Sequence, residues 1–246
     1  EIRLSLVGSE MCIRDRGKTR LMNQDYVYYS TKPVGNLPNL FILADGMGGH
    51  KAGDMASRYT VETMVKLVSD SDENDPISIL NSAIQQVNTD ILRKAQESED
   101  YNGMGTTLVV SCIRDSVLHV ANVGDSRLYI LGEDLKQVTR DHSLVEEMVT
   151  RGALDRNAAR YHEQKNMITR AIGGDTTVLP DFFPIDIKPG NRVLMCSDGL
   201  TNMVEDNVIE RILKTTADID EAATKLVELA NENGGRDNVS VIIIEY

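Results

Sequence analysis

Residues 106–139 read TTLVVSCIRDSVLHVANVGDSRLYILGEDLKQVT. Short runs rich in Val, Ile, Leu and Thr (Thr107–Ile113, Val117–Val123, Arg127–Leu131 and Lys136–Thr139) alternate here with turn residues, which is the pattern of consecutive β-strands. The simplest reading is an antiparallel meander. Outward from this block the period changes. Upstream, Val61, Met64, Val65 and Val68, then Ile77, Leu80, Ile84, Val87 and Ile91, recur at helical spacing, and Asp75-Pro76 supplies a cap followed by proline at the first helical position. Downstream, Ser143-Leu-Val-Glu146 has capping-box spacing and Gly152 a helix-stop position, so a short helix is expected between them. Residues 153–168 are polar and weakly periodic, as in a surface excursion or flap. Arg192–Cys196 reads as a strand, Val208, Ile209 and Ile212 as one helix, Ala223, Leu226, Val227 and Ala230 as another, and Asn238–Tyr246 as a closing strand. Strands grouped together and helices grouped in pairs argue for an α+β fold over a doubly wound parallel sheet. With no Pro- or Gly-rich linker, one domain over 1–246 is expected.

Composition narrows the function classes. Thirty-eight Asp and Glu against 26 Lys and Arg give a net charge of -12, which disfavours a nucleic-acid partner. Apolar runs such as Val241–Ile244 fall far below the roughly 20 residues of a membrane span. Cys12, Cys112 and Cys196 form neither a disulfide framework nor a zinc pattern, and a cytoplasmic location fits them.

Chemistry is concentrated at four aspartates placed at strand ends or turns: Asp45, Asp125, Asp198 and Asp237, three of them beside glycine. One Asp-Gly is a common turn signal. Four in comparable places suggest converging carboxylates, and oxygen ligands without a Cys/His set point to Mg²⁺ or Mn²⁺. The stretch Asp45-Gly-Met-Gly-Gly-His50 has neither the dinucleotide fingerprint nor the P-loop lysine. Its glycines would instead let a backbone carbonyl, that of Gly46, approach a cation beside Asp45.

Eight motifs in order, Arg20-Leu-Met-Asn-Gln-Asp25, Ala44-Asp-Gly-Met-Gly-Gly-His50, Gly105-Thr-Thr, Gly124-Asp-Ser-Arg127, Thr139-Arg-Asp-His-Ser143, Ile168-Thr-Arg-Ala-Ile-Gly173, Ser197-Asp-Gly-Leu200 and Gly235-Arg-Asp-Asn-Val-Ser240, resemble the series of the metal-dependent protein phosphatases of the PPM/PP2C type, the bacterial serine/threonine phosphatases above all. The resemblance implies a four-layer α-β-β-α sandwich of two mainly antiparallel sheets flanked by helix pairs, with a binuclear Mn²⁺ or Mg²⁺ centre at one end. It assigns Asp45 as the bridging carboxylate with the Gly46 carbonyl beside it, Asp198 and Asp237 to the first metal, Asp25 near the second, Asp125 with Asp198 to a third, weaker ion, and Arg20 to the substrate phosphate. It also implies phosphorylated proteins as substrates, an opposing serine/threonine kinase, and a monomer. Two cations could activate water and clamp the phosphoryl oxygens in line, while Arg20 adds a bidentate fork.

Departures from the series carry expectations of their own. Met47 replaces the histidine that eukaryotic relatives use as an acid, Gln24 stands where many relatives have Glu, His50 reads as a helix-entry residue, and His142 as structural or a flap hinge. Ser5–Arg16 does not resemble the family's first strand; it resembles translated adapter read-through, so much of residues 1–16 is read as non-native, with a divergent edge strand as the other reading, and residues 1–12 are expected to add little stability. Other readings are a catalytically silent regulatory member, or a phosphatase for a small phosphorylated molecule or a partner-switching phosphoprotein. Loss of a metal aspartate would mark the silent member, and none is lost.

Overall fold

The computed structural model describes residues 9–246. Two antiparallel sheets stack face to face. The first runs in the order β1 (Ser9–Asp15), β11 (Val239–Glu245), β10 (Arg192–Cys196), β7 (Arg127–Leu131), β8 (Leu135–Gln137). The second runs β2 (Asp25–Ser30), β3 (Leu40–Met47), β5 (Leu108–Arg114), β6 (Val117–Val123), β9 (Asp181–Asp186), and the two-residue β4 (Gly105–Thr106) pairs with β3. Helices α1 (His50–Ser69) and α2 (Pro76–Ala95) cover the second sheet, while α5 (Asp198–Thr201), α6 (Asp206–Thr215) and α7 (Ile219–Glu232) lie on the side of the first. The short α3 (Leu144–Thr150) and α4 (Arg156–Ala159) belong to the excursion after β8.

Strand residues divide by parity between layers because successive side chains point to opposite faces. On β3, Phe41 and Leu43 enter the core between the sheets, whereas Leu40, Ile42 and Ala44 pack under α1 and α2. On β11, Ile242 and Ile244 face inward, and Val241 and Ile243 meet the α6–α7 side. Both faces are covered, so these strands read as unbroken apolar runs instead of alternating ones. Each fully buried Ile or Leu contributes about 1.5–3 kcal/mol.

Local signals are realised where they were read. The Asp75 carboxylate accepts from Ser78 N–H at 2.9 Å with Pro76 in the first turn of α2, and Ser143 Oγ accepts from Glu146 N–H at 3.3 Å to open α3. The Glu146 side chain does not complete a capping box; it pairs with Arg156 at 2.9 Å and Arg140 at 3.5 Å. Segment 153–168 is mostly exposed and irregular apart from α4.

One expectation requires correction, and the fold places two stretches that the sequence left open. The meander is split: β6 pairs with β5 and β9, β7 with β10 and β8, so the chain changes sheets at Gly124–Ser126. Gly124 has φ +108°, and a Cβ there would come within 2.7 Å of the Thr107 side chain, so glycine is required at the crossing. A hairpin turn and a sheet-switching turn use the same residue types. The edge strand β9, which contains Pro184, carries no clear alternation and went unread. The stretch from Ser9 onward is built into the fold as an edge strand: β1 pairs with β11 over its whole length, Met11 and Ile13 pack toward α7, and Cys12 packs toward the inter-sheet core. A backbone of alternating orientation completes a sheet edge whatever its origin. Residues 1–8, and the side chain of His50, lie outside the described residues. Among the described residues no helix is long and apolar enough to cross a membrane.

Candidate metal centre and phosphate site

All seven residues picked out from sequence gather at one end of the sandwich. Asp25 opens β2 and stands directly opposite Asp45 on β3. Asp25 is fully buried; Oδ2 accepts from Ser197 Oγ at 2.8 Å, and Oδ1 has no hydrogen-bond partner. The Asp45 main chain is fixed by Thr106 and Thr107: its N–H donates to Thr107 Oγ1 at 3.0 Å, and its carbonyl accepts from Thr107 N–H at 2.9 Å and Thr106 Oγ1 at 2.8 Å. Gly46 donates its N–H to the Gln24 carbonyl at 3.0 Å, and a side chain there would collide with the Gly53 carbonyl of α1. Glycine therefore lets the first helix close on the strand that carries Asp45.

From the other sheet come Asp198 and Asp237. Asp198 begins α5 and accepts from Asn202 Nδ2 at 2.8 Å. Asp237, just before β11, accepts from Asn238 N–H at 2.9 Å and from Arg20 Nη2 at 2.7 Å. Asp125 occupies the sheet crossing. It does not pair with Arg127, whose guanidinium binds Asp141 through Nε at 3.0 Å and Nη2 at 2.7 Å. Asp125 is thereby left facing Asp198, and the two line a cleft of about 410 Å³ walled by Arg156, Arg160 and Lys165 of segment 153–168. The excursion thus lies over the edge that Asp125 and Asp198 share.

Electrostatics describe a site overloaded with negative charge. Burial first, and then neighbouring carboxylates, push Asp25 up to about 6 and Asp198 up to about 7. Asp45 is raised well above the carboxylate range by burial and by Asp25, Asp198, Asp125 and Asp237, in that order. Burial and then Asp198 raise Asp125 likewise. Arg20 is held charged by its hydrogen bond to Asp237, with Asp45 and Asp198 adding to the attraction.

Among the described residues no three Asp, Glu, His or Cys side chains already close on one point as a finished cage. Their oxygens are turned instead to Ser197, Asn202 and Arg20. The donor set nevertheless fits a hard cation: oxygen atoms only, a buried Asp25 oxygen without a donor, and repulsion that one arginine at the rim leaves largely uncompensated.

Sequence reading missed two residues that build this end. Asn238 accepts from Gln24 N–H at 2.8 Å and donates to the carbonyls of Arg16 and Met22, each at 2.9 Å, stapling the Arg20 loop to β11. Ser197 receives Ser240 N–H at 3.0 Å while donating to Asp25. Both lay inside quoted motifs, but only contacts between distant residues reveal their tasks. Of the histidines, His142 is buried.

The chain as a whole matches a known family in sequence and in fold. A sequence profile described as protein phosphatase 2C matches residues 15–233. The chain belongs to the protein phosphatase 2C family. It is 40% identical to the serine/threonine phosphatase stp of Listeria monocytogenes serovar 1/2a, over 94% of this chain and 93% of the relative. It is 37% identical to protein phosphatase PhpP of Streptococcus pneumoniae, over 94% and 95% respectively. The solved structure of the S. agalactiae serine/threonine phosphatase superposes with a TM-score of 0.89 at 36% identity, covering 96% of this chain and 98% of that one. The catalytic domain of PstP in complex with two manganese ions superposes with a TM-score of 0.85 at 33% identity, covering 96% and 97%. The two-sheet α+β architecture implied by the motif series is the one that these phosphatases share.

Proposed function

We infer that this protein phosphatase 2C family member hydrolyses phosphoserine and phosphothreonine esters in proteins, using two Mn²⁺ or Mg²⁺ ions held by Asp25, Asp45, the Gly46 carbonyl, Asp198 and Asp237. The observation that carries this reading is the gathering of those four carboxylates and Arg20 from both sheets into one cleft. When bound, the cations supply positive charge for the phosphoryl oxygens and a water acidic enough to act as nucleophile at neutral pH.

The chain's own residues do the rest. Ser197 orients Asp25 and Asn202 orients Asp198, each by one hydrogen bond. Thr106 and Thr107 lock the Asp45 main chain. Arg20, half exposed at the rim and already 2.7 Å from Asp237, presents a permanently charged planar fork to a phosphate dianion. Asp125 with Asp198 would hold a third, weaker ion. No cysteine serves as nucleophile, since burial drives Cys12, Cys112 and Cys196 upward and away from the reactive thiolate. Such a phosphatase opposes a serine/threonine kinase.

The test is phosphate release from phosphothreonine and phosphotyrosine peptides with Mn²⁺, with Mg²⁺ and with chelator. Release from phosphothreonine that needs the metal and disappears with chelator supports the reading. Turnover unaffected by chelator, or a preference for phosphotyrosine, overturns it.

A further inference from the structure

Asp125 sits in the three-residue passage between the sheets, and that passage is clamped from two sides. Behind it, Ser126 Oγ lies 2.8 Å from Thr107 Oγ1, and both residues are buried. In front, one residue holds both polar groups of Gly124. The His142 backbone N–H donates to the Gly124 carbonyl at 2.9 Å, and the Gly124 N–H donates to His142 Nδ1 at 3.1 Å.

That arrangement determines the ring's tautomer. With Nδ1 accepting, the neutral ring carries its hydrogen on Nε2, which lies 3.1 Å from Asp181 Oδ2 and 3.2 Å from Arg170 Nη1; since Arg170 has no acceptor to offer, the Nε2 hydrogen goes to Asp181, which Arg170 anchors at 2.9 Å. Burial lowers the His142 pKa, which keeps the ring in this neutral, accepting form. Gly124 has no side chain and a φ of +108°, so the peptide leading into Asp125 has little steric restraint of its own. Its direction is set by the partners of its N–H and C=O. Asn122 adds one, donating to the Gly124 carbonyl at 3.3 Å. The N–H depends on His142.

We propose that His142 is a positioning residue: by gripping Gly124 it aims the Asp125 carboxylate at the weak cation site shared with Asp198. This rests on the reading of Asp125 given under the proposed function. His142 touches neither substrate nor metal in this scheme. It acts through one backbone amide.

Two amide substitutions separate the ring's halves, because Asn places its oxygen near the position of Nδ1, whereas Gln places its amide near Nε2. The experiment is a manganese titration by calorimetry on the chelator-stripped full chain, with rates on a phosphothreonine peptide and on an aryl phosphate, for His142→Asn, His142→Gln and Asp125→Ala. His142→Gln should weaken the loosest manganese site by about 10–100-fold, as loss of an outer-shell partner does, while His142→Asn stays within about threefold of the parent. The peptide rate of His142→Gln should fall more than its aryl phosphate rate, since the ion at the loose site would help to protonate the departing serine or threonine oxygen, and an aryl leaving group needs no proton. Equal behaviour of the two variants at the loose site, or a lowered melting temperature with metal affinity and substrate ratio unchanged, overturns the proposal. Should either variant fail to fold, Asp181→Asn perturbs the same ring from its far side. It is expected to weaken the loose site in the same direction, and an unchanged site overturns the proposal. An unaltered loose site in Asp125→Ala is a different failure, since it removes the reading of Asp125 on which the proposal stands.

Discussion

Asp25 and Asp45 are directly paired across the β2–β3 ladder, two carboxylates facing each other at the end of a sheet where a β-branched or aromatic pair would be more stable. Like charges at such a position destabilise a sheet. A cation between them would reverse the sign of that interaction, so a pair that costs stability in the free protein would favour metal binding.

Asp45→Asn should therefore stabilise the chelated protein while abolishing metal-dependent turnover. The gain expected from relieving one cross-strand repulsion is about 0.2–1 kcal/mol, a rise of roughly 0.4–4 °C in a chain of this size. Scanning calorimetry in chelator and phosphate release in Mn²⁺ test the two halves; a lower melting temperature in chelator would show that the repulsion is not felt.

Asp25, raised to about 6, and Asp198, raised to about 7, give the metal-free protein a pH dependence. Native pKa values above the unfolded value near 3.8 mean that the folded state binds more protons between about pH 4 and pH 7. Their contribution is thus greatest at the acid end and is lost as pH rises through 6 and 7. Between pH 5.5 and 7.5 the melting temperature in chelator should drop relative to that in Mn²⁺. Comparing the two conditions removes the opposite effect of His142, whose lowered pKa favours the fold as pH rises toward 6.5. Parallel curves would count against the charge cluster.

Arg20→Ala should raise KM strongly and lower kcat as well, because a charge-assisted contact to a phosphate tightens as charge builds in the transition state. Arg20→Lys should recover only part, having a point charge and no fork. Retained kcat/KM in the alanine variant would return Arg20 to a surface ion pair with Asp237.

Asp198→Ala and Asp237→Ala should each abolish manganese-dependent hydrolysis with the fold intact by circular dichroism. Unchanged turnover at saturating Mn²⁺ in either variant removes the two-metal assignment.

Ile13→Asp tests β1. The side chain packs toward α7 from a strand paired in full register with β11, so a charge there should cost about 1–3 kcal/mol and leave a sheet edge prone to association. A melting temperature equal to the parent's would mean that the strand is dispensable despite its register.

Much of this was legible from residues because the signals are local. Helical spacing in 61–91, the Asp75-Pro76 cap and the apolar run at 192–196 each depend on neighbours within about four positions. The aspartates could be singled out for a similar reason: glycine beside a carboxylate limits what the chain does there, and an oxygen-only donor set limits the ion. β9 was not legible because an edge strand with proline and mixed burial carries little alternation.

By itself, then, the sequence determined the class of elements, the all-oxygen character of the site and the residue types that compose it. Tertiary structure decided what faces what. The Arg20–Asp237 pair joins positions 217 residues apart, and Ser197 reaches Asp25 across 172. It also placed Asp125 at a crossing between sheets instead of a hairpin, and gave Ser9–Asp15 an edge to complete. The physical reason is that local conformation costs and gains are set by adjacent residues, whereas buried carboxylates acquire partners, and raised pKa values, only when packing of the two sheets brings separate strand ends into one cleft.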